Sequence, residues 1–338
     1  DDNAFTSDNH TFYQQSHVAD RLGLALELEA DRMVNLRFDA AEFASELRVV
    51  MEERRLRTDD NPQALAFERF KAAAYPSSPA RTPIIGWMRD LEALTLADVR
   101  DWYARWYAPN NAVLVVVGDV TLAQVRQQVE KYFAAIPARS LPRRAVIREL
   151  PEPGERSLTL RLAGQVPLLY LGFNLPSAGS LQGSVDAYAL RLLAGVLDEG
   201  VSARLERRVV RGGKAAGIRS SYDLLARGDT LLTLTAVPAE GQALAELRTA
   251  ILDEVWRLRD EVVAPEEIER VLANVLAQEV FARDEIEDQA RLLGQLASSR
   301  MPLTLPADAA TRLRAVTPEQ LRAVAQRYFK PERLTTLF

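Results

Sequence analysis

Along most of this chain apolar residues recur three and four positions apart, and they alternate only in short runs, so the pattern predicts many amphipathic helices and a few strands. The alternation of small or polar with aromatic residues from Asn3 to Tyr13 predicts a strand, a turn at Ser7-Asp8-Asn9 and the start of a second strand. Residues 18–36 then read as a helix with Leu22, Ala25, Leu26, Glu29 and Met33 on one face. A second helix over 43–55 carries Phe43, Leu47, Val50 and Met51 as its apolar stripe. Asn61-Pro62 predicts a capped helix start, with Ala64, Phe67 and Phe70 following and a stop at Tyr75-Pro76. Thr95 with Asp98 forms a capping box for a helix to Trp106, and Thr121 opens another through Val125, Val129 and Phe133. Between those two, the uninterrupted run Val113-Leu-Val-Val-Val117 predicts a buried strand.

The second half repeats the mixture. Strands are expected at 158–162, 168–173, 218–222 and 230–237, and helices at 185–197, 244–258, 265–281 and 286–296, with a short helix ending at Val210 and a last helix opened by Thr317. Between the halves, Pro142, Pro151, Pro153, Arg143 and Arg144 mark residues 141–156 as a linker.

Chemistry enters at the helix over 43–55. Glu46 and Glu53 lie two turns apart and point almost the same way, at the edge of the apolar stripe, so both are expected to be half-buried. Glu46 has no basic residue one turn away on its own helix, so its partner must come from outside. Either a salt bridge to another element or a metal ligand backed by a second carboxylate meets that need.

An internal repeat organises the whole. Thr95, Arg100, Arg105, the pair Trp106-Tyr107 and Pro109 match Thr317, Arg322, Arg327, the pair Tyr328-Phe329 and Pro331 at one offset, 317 minus 95 or 222 residues. Two copies of one αβ unit are expected, the first beginning before Asp1 and therefore incomplete.

Composition narrows the function. Of 338 residues 48% are hydrophobic and 26% charged, with a net charge of −5 and no clustered basic face, which excludes a nucleic-acid footprint. No apolar run is long enough for a membrane span. Cysteine is absent, which removes disulfides, thiolate metal sites and a thiol nucleophile, and His10 and His17 are the only histidines. They do not make a zinc site in any familiar local spacing.

Asn3-Ala-Phe-Thr-Ser7 with Thr11 and Tyr13, Leu28-Glu-Ala-Asp-Arg-Met33, Glu46 with Val49-Val50 and Glu53-Arg54-Arg55, Tyr107-Ala-Pro-Asn-Asn-Ala112, Gly118-Asp119 and Gly200-Val-Ser-Ala-Arg-Leu205 together resemble the pitrilysin/insulinase family of zinc metallopeptidases. The resemblance runs in order over almost the whole chain. It implies an α+β fold of two homologous αβ domains, each a mainly antiparallel sheet packed with helices, forming a clamshell with the first domain incomplete. Residues 1–140 are then the remainder of the metallopeptidase domain, and 157–338 the inactive homologous domain.

In that family two histidines and the general-base glutamate of an H-x-x-E-H helix act with a later glutamate on zinc, so the resemblance implies Zn2+ as cofactor, Glu53 as a metal ligand and Glu46 as its supporting acid. The histidine pair and the general base are expected upstream of Asp1. Zinc held this way keeps one position open for a water and lowers its pKa. The resemblance further implies that Asn3 and Ala4 bind an extended peptide or unfolded protein segment by strand addition, and that Arg211 contacts substrate, although Gly217 stands where the family often has a tyrosine. The expected activity is a zinc metalloendopeptidase. The alternative is a non-catalytic partner subunit completing the chamber of an active mate, so a homodimer or a heterodimer with a family member is open. The expected location is the periplasm or cell envelope of a bacterium, with the cytoplasm as alternative.

Overall fold

The structure, a computed structural model, describes residues 2–143, 148–164, 166–181, 184–281 and 284–338, with backbone alone for 278–281. In chain order the strands are β1 (Asp2–Thr6), β2 (Thr11–Gln15), β3 (Arg156–Leu158), β4 (Leu169–Leu175), β5 (Ala215–Ser221), β6 (Thr230–Pro238) and β7 (Leu334–Leu337). The helices are α1 (Leu22–Asn35), α2 (Ala40–Arg54), α3 (Pro62–Ala74), α4 (Met88–Ala93), α5 (Leu96–Trp106), α6 (Leu122–Phe133), α7 (Asp186–Asp198), α8 (Leu244–Asp260), α9 (Pro265–Phe281), α10 (Ile286–Ser298), α11 (Leu305–Arg314) and α12 (Pro318–Tyr328). None of those described is long and apolar enough to cross a membrane.

Contacts group these elements in space rather than in chain order. One unit comprises Asp1–Arg55, Ile84–Ala145 and Val280–Leu303; the other comprises Leu56–Pro83, Val146–Glu279 and Thr304–Phe338.

The second unit is built on a five-stranded sheet in the order β3-β7-β4-β6-β5, antiparallel throughout except for the parallel β3/β7 pair. Every residue of β4 is buried, because both faces of the sheet are covered. Leu169, Leu171 and Phe173 point into the main core with α7, α8 and α12, whereas Tyr170 and Gly172, one residue out of phase, meet Phe70 of α3. The mainly antiparallel α+β expectation is met here.

The described part of the expected linker is anchored rather than loose. Glu149 is buried, accepting from Ser77 Oγ at 2.6 Å, Ser78 N at 3.0 Å and Leu150 N at 2.7 Å, and Arg148 donates to the carbonyl of Ser180 at 2.6 Å. Arg144 lies outside the described residues.

The first unit carries the β1/β2 hairpin with α1, α2, α4, α5, α6 and α10. Its expected strand at Val113–Val117 is absent: the segment pairs with nothing among the described residues, and Val113 and Leu114 are 49% and 47% exposed. Apolar composition favours a buried strand, but only ladder hydrogen bonds from a neighbour make one.

The repeat is visible in geometry. Thr95 and Thr317 each close a capping box, with Asp98 and Gln320. Both helices end on an aromatic residue in the same backbone conformation, Tyr107 at φ −88, ψ 89 and Phe329 at φ −83, ψ 84, followed by short 3-10 turns at Pro109–Asn111 and Pro331–Arg333. Thr95→Ala and Thr317→Ala are each expected to cost about 1 kcal/mol in denaturant unfolding, by orphaning the amides their hydroxyls cap.

Candidate functional site

The acidic helix α2 begins at Asp39, whose carboxylate accepts from the amides of Ala41 at 2.7 Å and Glu42 at 3.1 Å; those bonds hold the carboxyl below its ordinary range. Phe43, Leu47, Val50 and Met51 are its half-buried stripe, as the spacing predicts. Arg54, in the last turn, is 2% exposed and donates to the carbonyl of Gly86 at 2.7 Å with its guanidinium 5.9 Å from the Trp87 ring. That contact fixes the roll of the C-terminal turn and with it the direction of Glu53, which is half-buried. Glu46, about 10 Å away along the axis by helical rise, is exposed, contrary to the expectation for the pair.

The hairpin carries Asn3 and Ala4. Ser7 N donates to the carbonyl of His10 at 2.9 Å, and the register pairs Thr6 with Thr11, Phe5 with Phe12, Ala4 with Tyr13 and Asn3 with Gln14. Bonded and non-bonded pairs alternate in an antiparallel ladder, so Asn3 and Phe5 bond to β2, while the N–H and C=O of Asp2, Ala4 and Thr6 point to the other side. The Ala4 amide accordingly meets its neighbour's side chain, Asn3 Oδ1 at 2.8 Å. β1 pairs only with β2 among the described residues, and all five of its residues are exposed. A shallow cavity of about 310 Å³ lies at its open end, lined by Asp2, Asn3, Gln14, Ser16 and Glu287.

Side chains on one hairpin face contact α1 and the end of α5. Arg32 reaches Asp2 at 3.5 Å and sits 4.6 Å from the Tyr13 ring centroid, and Gln15 donates to Glu29 at 2.6 Å. The Tyr13 and Tyr107 hydroxyls share a hydrogen bond of 2.7 Å; burial, then that bond, push the Tyr13 phenol well up. The opposite face meets α10: Gln14 donates to Glu287 at 3.0 Å, and the Arg291 guanidinium lies 5.4 Å from the Phe5 ring. Sequence spacing gives no sign of this second contact, because Gln14 and Glu287 stand 273 positions apart.

The remaining expected site residue, Arg211, belongs to the second unit, where its side chain is exposed, 3.4 Å from Glu206 and 3.0 Å from the carbonyl of Val201. His10 packs edge-on against Phe12, and His17 Nε2 is 2.9 Å from Gln15 Oε1. Among the described residues no three His, Cys, Asp or Glu side chains converge on a point that could hold a metal ion. Glu53 thus offers one carboxylate, and the donor set described does not fit zinc by itself.

Residues 1–86 match the family model described as Insulinase (Peptidase family M16), and 93–275 match the model described as Peptidase M16 inactive domain. The chain is 27% identical over 343 residues to zinc protease PqqE of Helicobacter pylori, covering 99% of this chain and 75% of that protein. It is 30% identical over 262 residues to an uncharacterized zinc protease of Mycobacterium tuberculosis, covering 75% of this chain but only 58% of the relative's length. A crystal structure of a protease from Helicobacter pylori superposes with a TM-score of 0.91 at 27% identity, over 99% of this chain and 81% of that one. A putative M16-like peptidase from Alicyclobacillus acidocaldarius shares the fold, with a TM-score of 0.82 at 20% identity over 100% of this chain and 79% of that one. With more than half its residues matched by a single family model, the chain belongs to peptidase family M16, the insulinase family.

Proposed function

We propose that this chain is part of a zinc-dependent endopeptidase that takes peptides or unfolded segments as an added strand on β1. The observation that carries the reading is the outer edge of β1, which meets no second strand among the described residues and presents the C=O of Ala4 and the N–H and C=O of Thr6 in a hairpin braced on both faces. Main-chain pairing of that kind binds extended substrate with little regard to sequence. Asn3 and Ala4 are the substrate contacts in this reading, with Arg211 as a further one. Glu53 is one carboxylate ligand of a zinc set whose imidazoles are not His10 or His17, and Glu46 is its supporting acid. Residues 1–140 serve as the metallopeptidase portion and 157–338 as the inactive homologous domain. A periplasmic or envelope location goes with this reading.

The test is zinc content and cleavage of a quenched fluorescent peptide by the protein made from its complete reading frame, beside Glu53→Gln. Stoichiometric zinc in the parent, with both metal and cleavage falling in the variant, is the expected result. A parent without zinc, and a variant indistinguishable from it, would turn the reading to a non-catalytic partner subunit. That second reading draws on the match of 93–275 to a domain described as inactive.

A further inference from the structure

A two-stranded hairpin is marginal on its own, so what holds β1 flat enough to accept a third strand must come from outside it. Period two puts Asp2, Ala4, Tyr13 and Gln15 on one face and Asn3, Phe5, Phe12 and Gln14 on the other. Each face is held by one arginine that makes two kinds of contact at once. On the first, Arg32 of α1 pairs with Asp2 at 3.5 Å and with Glu29 at 3.5 Å, and stacks 4.6 Å over Tyr13. Its own carbonyl accepts from the Tyr103 hydroxyl, and Tyr103 stacks on Tyr107 at 4.2 Å, so the backbone bearing Arg32 is tied to the end of α5. On the second face, Arg291 of α10 pairs with Asp288 at 3.1 Å, reaches Gln14 at 3.5 Å and lies 5.4 Å from Phe5, which stacks on Phe12 at 4.6 Å. Gly294, one turn on, lets α10 come this close: a Cβ there would sit 3.0 Å from the Phe12 ring.

We infer that Arg32 and Arg291 are positioning residues, gripping the hairpin from its two faces so that the outward carbonyls of Ala4 and Thr6 and the Thr6 amide are held in line for an extended peptide, the Ala4 amide being taken by Asn3 Oδ1. This rests on the strand-addition reading above. Neither guanidinium touches the peptide backbone itself. Each binds an edge residue of β1 (Asp2 or Phe5) and a residue of β2 (Tyr13 or Gln14), so each resists twisting of one strand about the other. The late-chain helix α10 thereby takes part in substrate binding although it lies far from Asn3 in sequence.

The test uses the protein made from its complete reading frame, with a chelator present so that the peptide is not cut, and a fluorescein-labelled decapeptide of alternating Thr and Val, with binding followed by anisotropy and amide exchange followed at Thr6. In the parent, peptide should slow exchange at that amide. Arg32→Met and Arg291→Met should each weaken binding roughly five- to tenfold, the range expected for losing one exposed polar contact to the hairpin (Asp2 or Gln14) and one cation–π contact, with unchanged far-ultraviolet circular dichroism. The double variant should multiply the two losses, because the faces share no partner. Arg32→Lys, which keeps the charge over Tyr13 and beside Asp2, should recover part of the loss, and it decides the matter together with Arg291→Met if Arg32→Met does not fold. Unchanged affinity in both methionine variants, with Thr6 still protected, would overturn the positioning role and leave strand addition standing. A parent that binds no peptide, or binds it without protecting Thr6, would overturn both.

Discussion

Glu267→Gln should destabilise the second unit by about 3 kcal/mol at neutral pH, toward the low end for breaking a buried pair because the amide keeps one acceptor. Arg204 is buried and donates through Nε to one Glu267 oxygen at 2.9 Å and through Nη2 to the other at 2.8 Å, a two-pronged bond that a neutral amide cannot reproduce. The variant leaves a guanidinium without its counter-charge, and its Nη1 already has no hydrogen-bond partner among the described residues. Burial pushes the Glu267 carboxyl up, but the Arg204 hydrogen bond and charge outweigh it and hold the group below its ordinary value of 4.5. A carboxyl depressed in the folded state binds more protons in the unfolded chain, so its contribution is full above 4.5 and fades as pH falls through the lower folded value. Denaturant unfolding should therefore show parent stability falling below pH 4.5 in a step that the variant lacks. A double change, Arg204→Met with Glu267→Leu, should recover most of the loss, since a packed apolar pair needs no counter-charge.

What could be read from the sequence was what neighbours in sequence decide. The starts at Asn61-Pro62, Thr95, Thr121 and Thr317 are fixed by side chains bonding amides two or three residues on, and all four helices begin there. The hairpin at Ser7–His10 is legible for the same reason. α11 has no local start signal although Leu305, Ala309 and Leu313 form a buried stripe, because its Thr304-Leu-Pro306 entry has no side-chain cap.

Contacts made at a distance were the ones that misled or stayed hidden. Val113–Val117 has the composition of a strand and no ladder among the described residues, since ladder partners are not a property of the segment. The buried member of the acidic helix's last turn is Arg54, whose acceptor, the Gly86 carbonyl, stands 32 residues away. Glu46 and Glu53 share a direction but not an environment. In the same way Asn3 and Ala4 were visible as a motif, whereas the arginines that brace their strand were not, because Arg291 meets Phe5 only through the fold.

Phe70→Ala should be the most damaging single truncation in α3, at about 3–5 kcal/mol, the usual cost of emptying a fully buried aromatic site. The ring is 0% exposed and fills the space between α3 and the sheet, 5.6 Å from the Tyr170 ring and against Leu231 and Leu337. It fits because β4 has a glycine beneath it: a Cβ on Gly172 would stand 2.6 Å from Phe70 Cζ, closer than carbon atoms approach. A glycine in a central strand costs backbone entropy and packs nothing, so at this position the missing side chain is the complement of the ring. Gly172→Ala should accordingly cost about 1–3 kcal/mol by overpacking. If ring and glycine are one fitted pair, the two losses will not add. Phe70→Leu on top of Gly172→Ala frees the space the new methyl needs, and the double variant should be more stable than Gly172→Ala alone, a coupling of about 1 kcal/mol or more in a double-mutant cycle. Strict additivity in urea unfolding would mean that α3 shifts as a body to accommodate the methyl, and that the sheet face under it is less closely packed than a 2.6 Å approach requires.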